Sequence, residues 1–315
     1  MVMEVVIAVH TEFGFVRDGR VVFDRTTEEG ARGGIRSLLP IAGAHGARIC
    51  FFLEPEIIGA TKKEIRLALK RGHELGLHIH PEDKILLKNK ISDGRSAALM
   101  DYSKEEQYKM ISFGRNLIRD TFGIRPRAFI AGKWSESNST PAVLDSLGFT
   151  HDCSPFPGQR SHTCNWGKLP KMCSPYHPSR ADYQLRGDSK LLYVPVSELI
   201  TGSTVSPESA RGYGAPMLIA AFEDYLSQGM PVFHIALHSA SMTDKNMRDI
   251  MGNLLAFISH RKKDARFASV TKIKEVGMRE GSPRLLPYVR RINVRVLGNV
   301  LSPSFLLRRV GIARG

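Results

Sequence analysis

The chain has 315 residues, 42% hydrophobic and 24% charged, with a formal net charge of +14. Such a composition excludes a disordered chain and fits one large α/β barrel or two average domains with a substantial core. No stretch reaches the ~20 uninterrupted apolar residues of a membrane-spanning helix, and the N-terminus lacks the basic start and apolar core of a signal peptide, so a cytoplasmic location is expected. Cys50, Cys153, Cys164 and Cys173 include no Cys-x-x-Cys pair and read as reduced thiols rather than a disulfide scaffold.

Residues 3–9 and 48–53 are apolar, β-branched runs that read as strands, with a helix over about 28–44 between them. Thr61-Lys62-Lys63-Glu64 has the form of a capping box, opening a helix with Ile65, Ala68 and Leu69 on one face, and Gly72 is placed to end it. A strand over 75–79 follows. Ser103-Lys104-Glu105-Glu106 is a second capping box, whose helix carries Met110, Ile111, Leu117 and Ile118 before Gly123 and Pro126 stop it. Residues 128–131 read as a strand. Ser139-Thr140-Pro141 opens a helix that Gly148 closes, and 149–152 is a short strand beyond.

An irregular excursion rich in Pro, Ser and His spans 153–190. The alternation then resumes, with strands at 191–196 and 231–238, helices at 216–227 and 245–260, and a last short strand at 267–270. Seven or eight strands, each followed by a helix, predict a distorted (β/α) barrel over residues 1–270. Residues 271–315 read as a basic C-terminal extension. From Arg284 to Gly315 the chain has seven arginines and no acidic residue, interleaved with Leu, Val, Ile and Phe. Such a segment suits an anionic substrate or peripheral contact with a membrane surface, or else is a solvated tail. Nucleic acid is not an expected partner, because no recognised binding module accompanies the charge.

The stretch 72–82 carries the most specific signal. His78 and His80 stand two residues apart at a strand end, so both project from one face and can converge on a metal ion. His10 and Glu12 follow the first strand, Asp152 ends the fifth and His238 ends the seventh. Each alone is an ordinary strand-end or core residue. All lie at carboxyl ends, which a barrel gathers at its catalytic face.

These pieces, in this order, resemble the polysaccharide deacetylase family, also called the NodB-homology or carbohydrate esterase four family, over roughly residues 1–270. Gly72-His73-Glu74-Leu75-Gly76-Leu77-His78 is similar to the family's Gly-His-Glu-Ile-Gly-x-His segment, and His80-Pro81 to a His-x-His-Pro subgroup. Arg125-Pro126-Arg127-Ala128-Phe129 with Gly132-Lys133-Trp134, then Leu147-Gly148-Phe149 and Asp152, resembles its third motif and the strand after it. Leu237-His238-Ser239 resembles its late histidine motif, and Val9-His10-Thr11-Glu12 stands in place of its aspartate-bearing first motif.

The resemblance implies a metal-dependent deacetylase acting on an acetylated amino sugar that is nucleotide-linked, lipid-linked or a small glycoside. An acid and two histidines would hold a divalent ion, zinc above others: here Glu12, His78 and His80. His10 would be the base and His238 the acid that protonates the leaving amine. The reverse use of the first motif, with His10 as ligand and Glu12 as base, stays open, as does Glu82 as a ligand in place of His80. Lys133, Trp134 and Asp152 would face substrate, though Trp134 could equally be core packing and Asp152 a loop cap. The arginine that normally steadies the base is Ile130, with Lys133 as a candidate replacement. A hydrolase of another amide bond and a non-catalytic carbohydrate-binding relative are the alternative functions.

Overall fold

The computed structural model describes residues 2–24 and 27–292. The apolar runs become strands buried on both faces, as a parallel sheet between helices demands. They are β1 (Met3–Thr11), β2 (Cys50–Leu53), β3 (Glu74–Ile79), β4 (Ala128–Ala131), β5 (His151–Asp152), β6 (Leu192–Tyr193) and β7 (Val232–His238). They pair in parallel in the order β7-β1-β2-β3-β4-β5-β6, and β8 (Ala265–Phe267) pairs with the start of β1. The longer helices between them are α1 (Glu29–His45), α2 (Ile58–Lys70), α3 (Lys104–Phe122), α4 (Thr140–Ser146), α5 (Ala215–Ser227) and α6 (Lys245–Ser259). Among the described residues, no helix is long and apolar enough to cross a membrane.

Strand alternation divides the core. Val6 and Ala8 of β1 face inward onto Cys50, Phe52, Ala128 and Ile130, whereas Val5, Ile7 and Val9 face outward onto Ile35, Leu38 and the other helix residues. The ring does not close by strand pairing. Between β6 and β7 the Ser197 amide donates to the His234 carbonyl at 3.1 Å and the Ala236 amide to the Val205 carbonyl at 3.1 Å. His234 Nδ1 lies 3.0 Å from the Val194 carbonyl across the same gap. The expected distorted barrel is therefore borne out as a half-barrel of seven parallel strands. Its cysteines are all free.

Several local expectations hold and others do not. The Ser103 capping box is present, with the Ser103 amide donating to Glu106 Oε2 at 2.7 Å and Ser103 Oγ accepting from the Glu106 amide at 3.3 Å. Thr61 is not a cap. The 3₁₀ turn Pro55–Ile57 runs straight into α2, so the chain is already wound at Thr61, whose hydroxyl donates to the Ile57 carbonyl at 2.9 Å. The last strand is Ala265–Phe267 rather than 267–270, because Met3–Val5 offers its free edge to those residues and 270–272 turns as 3₁₀ helix. A hairpin of Phe15–Arg17 with Arg20–Val22 follows β1, turning at Asp18 (φ 49) and Gly19 (φ 66). Asp-Gly with both residues at positive φ is the type I′ signature, so its signal was in the sequence.

Past the barrel, Glu280–Gly281 pairs antiparallel with Met172–Cys173, and the helix Leu285–Arg291 packs on α5 with Tyr288 buried. Residues 293–315, the remainder of the basic extension, lie outside the described residues.

Burial, helped by the Arg48 and Arg71 charges, pulls the His73 imidazole down to about 4, while its Nδ1 accepts from the Ile49 amide at 3.3 Å. The unfolded chain binds this proton near pH 6.5 and the folded chain does not, so its contribution is full at pH 7 and is lost as pH falls from about 6.5 toward 4. His73→Asn keeps an acceptor and does not titrate. Denaturant unfolding should show the wild type losing about 2 kcal/mol relative to this variant between pH 7 and 4.5. A pH-independent difference would remove His73 as the source.

Candidate active site

The carboxyl ends of β1, β3 and β7 meet around a pocket of about 430 Å³. Register brings the histidines there: His10 pairs with His238 across β1 and β7, and His78 pairs with Ile130 across β3 and β4. Glu12, just past β1, sits among them. Its Oε1 lies 3.4 Å from His238 Nε2 and 3.7 Å from His78 Nε2, and its Oε2 lies 3.5 Å from His80 Nε2. The Nε2 atoms of His78 and His80 are 3.1 Å apart. His10 packs edge-on against His78 at 4.8 Å between centroids and against Trp134 at 5.0 Å.

Three of the imidazoles, those of His78, His80 and His238, are oriented from behind. His78 Nδ1 is 3.0 Å from the Ile130 carbonyl, which can only accept, so the proton sits on Nδ1 and the Nε2 lone pair faces the pocket. Glu82 lies 3.7 Å from the outer nitrogen of His80, leaving Nε2 directed at Glu12. His238 Nδ1 is 3.4 Å from Glu208, whose Oε1 also accepts from the His238 amide at 2.8 Å and from the Ser241 hydroxyl. A Cβ at Gly132 would stand 2.6 Å from the His80 ring, so only glycine lets β4 pass so close. After it, Lys133 (φ 55) and Trp134 (φ 58) both take left-handed backbone, at a cost of about 1–3 kcal/mol each, and both line the pocket.

The electrostatics separate the groups. Burial, with the His78 and His238 charges, holds His10 well below the usual imidazole range. Burial works against the Glu12 carboxylate, but the imidazoles around it, His78 first, hold its pKa well below the ordinary range. For His80 burial is outweighed by Glu82, Glu12 and Glu54, which lift it to about 9. Burial likewise opposes charge on His238, yet Glu208 and Glu12 raise it.

The arrangement fits a metal ion. Two imidazoles on one tetrahedral ion with bonds of about 2.0–2.1 Å place their nitrogens about 3.3 Å apart, close to the His78–His80 separation. His10 Nε2 is buried with no hydrogen-bond partner. His10, Glu12 and His78 each offer a ligand atom within 4.8 Å of one another. One carboxylate with imidazoles suits a borderline ion of the zinc type.

His10, Glu12, His78, His80, Lys133, Trp134 and His238 all line this pocket, as does Glu82. Asp152 does not. It is buried on β5, where its Oδ1 accepts from the Ser154 amide at 2.7 Å and from the Ser154 hydroxyl, beside a second buried acid, Glu136. Burial lifts Asp152 to about 6 and, with the Asp152 charge, raises Glu136 further. Glu208 and Phe23 were missed by sequence reasoning. Glu208 comes from an irregular stretch without periodicity, and Phe23 from the hairpin, whose ring meets His238 edge-on at 5.1 Å.

The polysaccharide deacetylase family model matches residues 21–151, bearing out the resemblance. His10, Glu12 and His238 fall outside that match and reach the pocket through the fold. No curated protein matches the chain in sequence. Among solved structures, a protein assigned as a polysaccharide deacetylase from Mycobacterium smegmatis superposes with a TM-score of 0.60 at 16% identity, over 86% of this chain and 88% of that one. Puue allantoinase gives 0.60 at 14% identity over 85% and 88%. A protein likewise assigned as a polysaccharide deacetylase, from Pseudomonas aeruginosa PAO1, gives 0.56 at 13% identity over 85% and 88%. At such identities the likeness speaks for the fold.

Proposed function

We propose that this chain, a polysaccharide deacetylase-family protein across residues 21–151, is a metal-dependent hydrolase that removes the N-acetyl group of an acetamido sugar. The observation that carries this reading is the convergence of three imidazole Nε2 atoms on one buried carboxylate, Glu12, at 3.4–3.7 Å. Glu12, His78 and His80 would hold the ion. A bound ion of the zinc type supplies Lewis-acid polarisation of the amide carbonyl and acidifies water to a pKa of ~7.

The chain's own groups do the rest. His10, kept neutral by burial and with its Nε2 free of any other hydrogen bond, accepts the proton of the attacking water. His238, favoured in its charged form by Glu208 and Glu12, donates to the leaving amine nitrogen, which is too basic to depart as an anion. Trp134 offers an aromatic face beside His10 for the sugar ring, and Lys133 a cation for its polar edge. Incubating zinc-loaded protein with a panel of N-acetylated sugars should release acetate, and chelation should stop it. Turnover that survives chelation, or acetate from none of the panel, would sink the reading.

One observation favours a second assignment within the same reaction: His10 belongs to the trio whose ligand atoms lie within 4.8 Å of one another. His10→Ala divides the two. As base, His10 is expected to take with it a factor of about 10²–10⁴ in acetate release while metal content stays unchanged. Loss of the metal would instead place His10 among the ligands and leave Glu12 as base.

A further inference from the structure

The pocket adjoins a larger cavity of about 720 Å³, and His238 and Phe23 line both. The Phe15–Arg17/Arg20–Val22 hairpin and the 208–213 loop form its walls, bringing Arg20, Arg211 and Tyr213 to one space. Among the described residues, neither guanidinium has an ion-pair partner. Other arginines do: Arg284 meets Asp224 at 2.9 Å and Arg291 meets Glu223 at 2.6 Å. The carboxylate lining the cavity, Glu208, is engaged through Oε1 by the His238 amide and the Ser241 hydroxyl and faces His238 Nδ1, so its charge is directed at the imidazole. Arg211 is laid across the hairpin turn so closely that a Cβ at Gly19 would stand 1.9 Å from its Nε. Two guanidinium groups thus line one cavity with no carboxylate paired to either among the described residues. Their planar donor forks match carboxylate and phosphate oxygens.

We propose that this cavity is the anion-binding half of the substrate site, taking a phosphate or carboxylate carried by the acetamido sugar on Arg20 and Arg211. The position of the amide, over Glu12 and beside His238, rests on the function proposed above. Phe23, 56% exposed and edge-on to His238, forms the shared wall and gives the sugar ring an apolar face between the two compartments. The hairpin thus acts as a specificity element: it selects a charged sugar rather than a neutral polymer.

The test is calorimetric titration of the zinc-loaded full chain at low ionic strength with N-acetylglucosamine, N-acetylglucosamine 1-phosphate and N-acetylmuramic acid. At least one anionic sugar is expected to bind about 10-fold or more tightly than the neutral one, with an advantage that shrinks in high salt. In the Arg20→Gln/Arg211→Gln double variant that advantage should fall to within about 2-fold. The phosphate or carboxylate arm that wins identifies the group. Equal binding of all three sugars, no measurable binding of any, or an advantage that survives the double substitution overturns the proposal. Tight binding of an anionic sugar that releases no acetate would leave the anion cavity standing and remove the deacetylation reading.

Discussion

Glu12→Ala is expected to strip the protein of its divalent ion and to lower acetate release by at least about 10³-fold. The geometry sets the size of this effect. Among the described residues, Glu12 is the one acid in reach of His78, His80 and His238 together, and it is buried at 8% exposure, where a carboxylate is tolerated only because imidazoles surround it. Removing it leaves clustered imidazoles with no anion to offset a bound cation, so affinity falls for electrostatic as well as coordination reasons. Glu12→Asp keeps the charge but withdraws it by one methylene, about 1.5 Å, too far to complete a ligand set with bonds of about 2 Å. Elemental analysis after dialysis against buffer free of chelator should find about one ion per chain in the wild type, a fraction of that in Glu12→Asp and a trace in Glu12→Ala. Stoichiometric metal in Glu12→Ala would dismiss Glu12 as a ligand and move attention to His10 with His78.

The sequence carried the fold well where burial imposes a period. The runs that became β1, β3, β4 and β7 are apolar because both their faces are covered, and β4 falls on 128–131 as expected. Short elements were placed less well. β5 and β6 are two residues each, and whether a segment of that length pairs depends on the neighbouring edge rather than on its own side chains. The same holds for the last strand, whose position is set by the free edge at Met3–Val5. The pocket's core was legible because strand ends are legible: once His10, His78 and His238 are placed at carboxyl ends, the barrel brings them together. Glu208 was not, because a long irregular loop has no rule that says where it returns. Asp152 shows the opposite limit. Its strand was foreseen, but the direction of its side chain depends on Glu136 and Ser154, which a strand assignment does not specify.

His238→Ala should leave the metal content unchanged and reduce acetate release by about 10²–10⁴-fold, the range of a lost general acid. His238 reaches Glu12 through Nε2 and Glu208 through Nδ1, so one nitrogen faces the reaction and the other is held from behind. Glu208 touches no part of the pocket chemistry directly. It acts through His238, and Glu208→Gln tests this because the amide oxygen can still accept from the His238 amide and Ser241 while the charge is gone. The sign follows from the cause of the shift. Burial presses the His238 pKa down and the Glu208 carboxylate, with Glu12, raises it; without the Glu208 charge it must drop. A general acid works in its protonated form, so the rate falls as pH rises through its pKa. The alkaline limb of kcat/KM in Glu208→Gln is therefore expected to move to lower pH, with a loss of about 10-fold at pH 8 and much less at pH 6. A purely structural role for Glu208 would depress the rate equally at every pH and leave the limb where it stands in the wild type. An acid limb that moves to lower pH, with the alkaline limb left in place, would mean that His238 works as the neutral base, and would exchange the roles assigned to it and to His10.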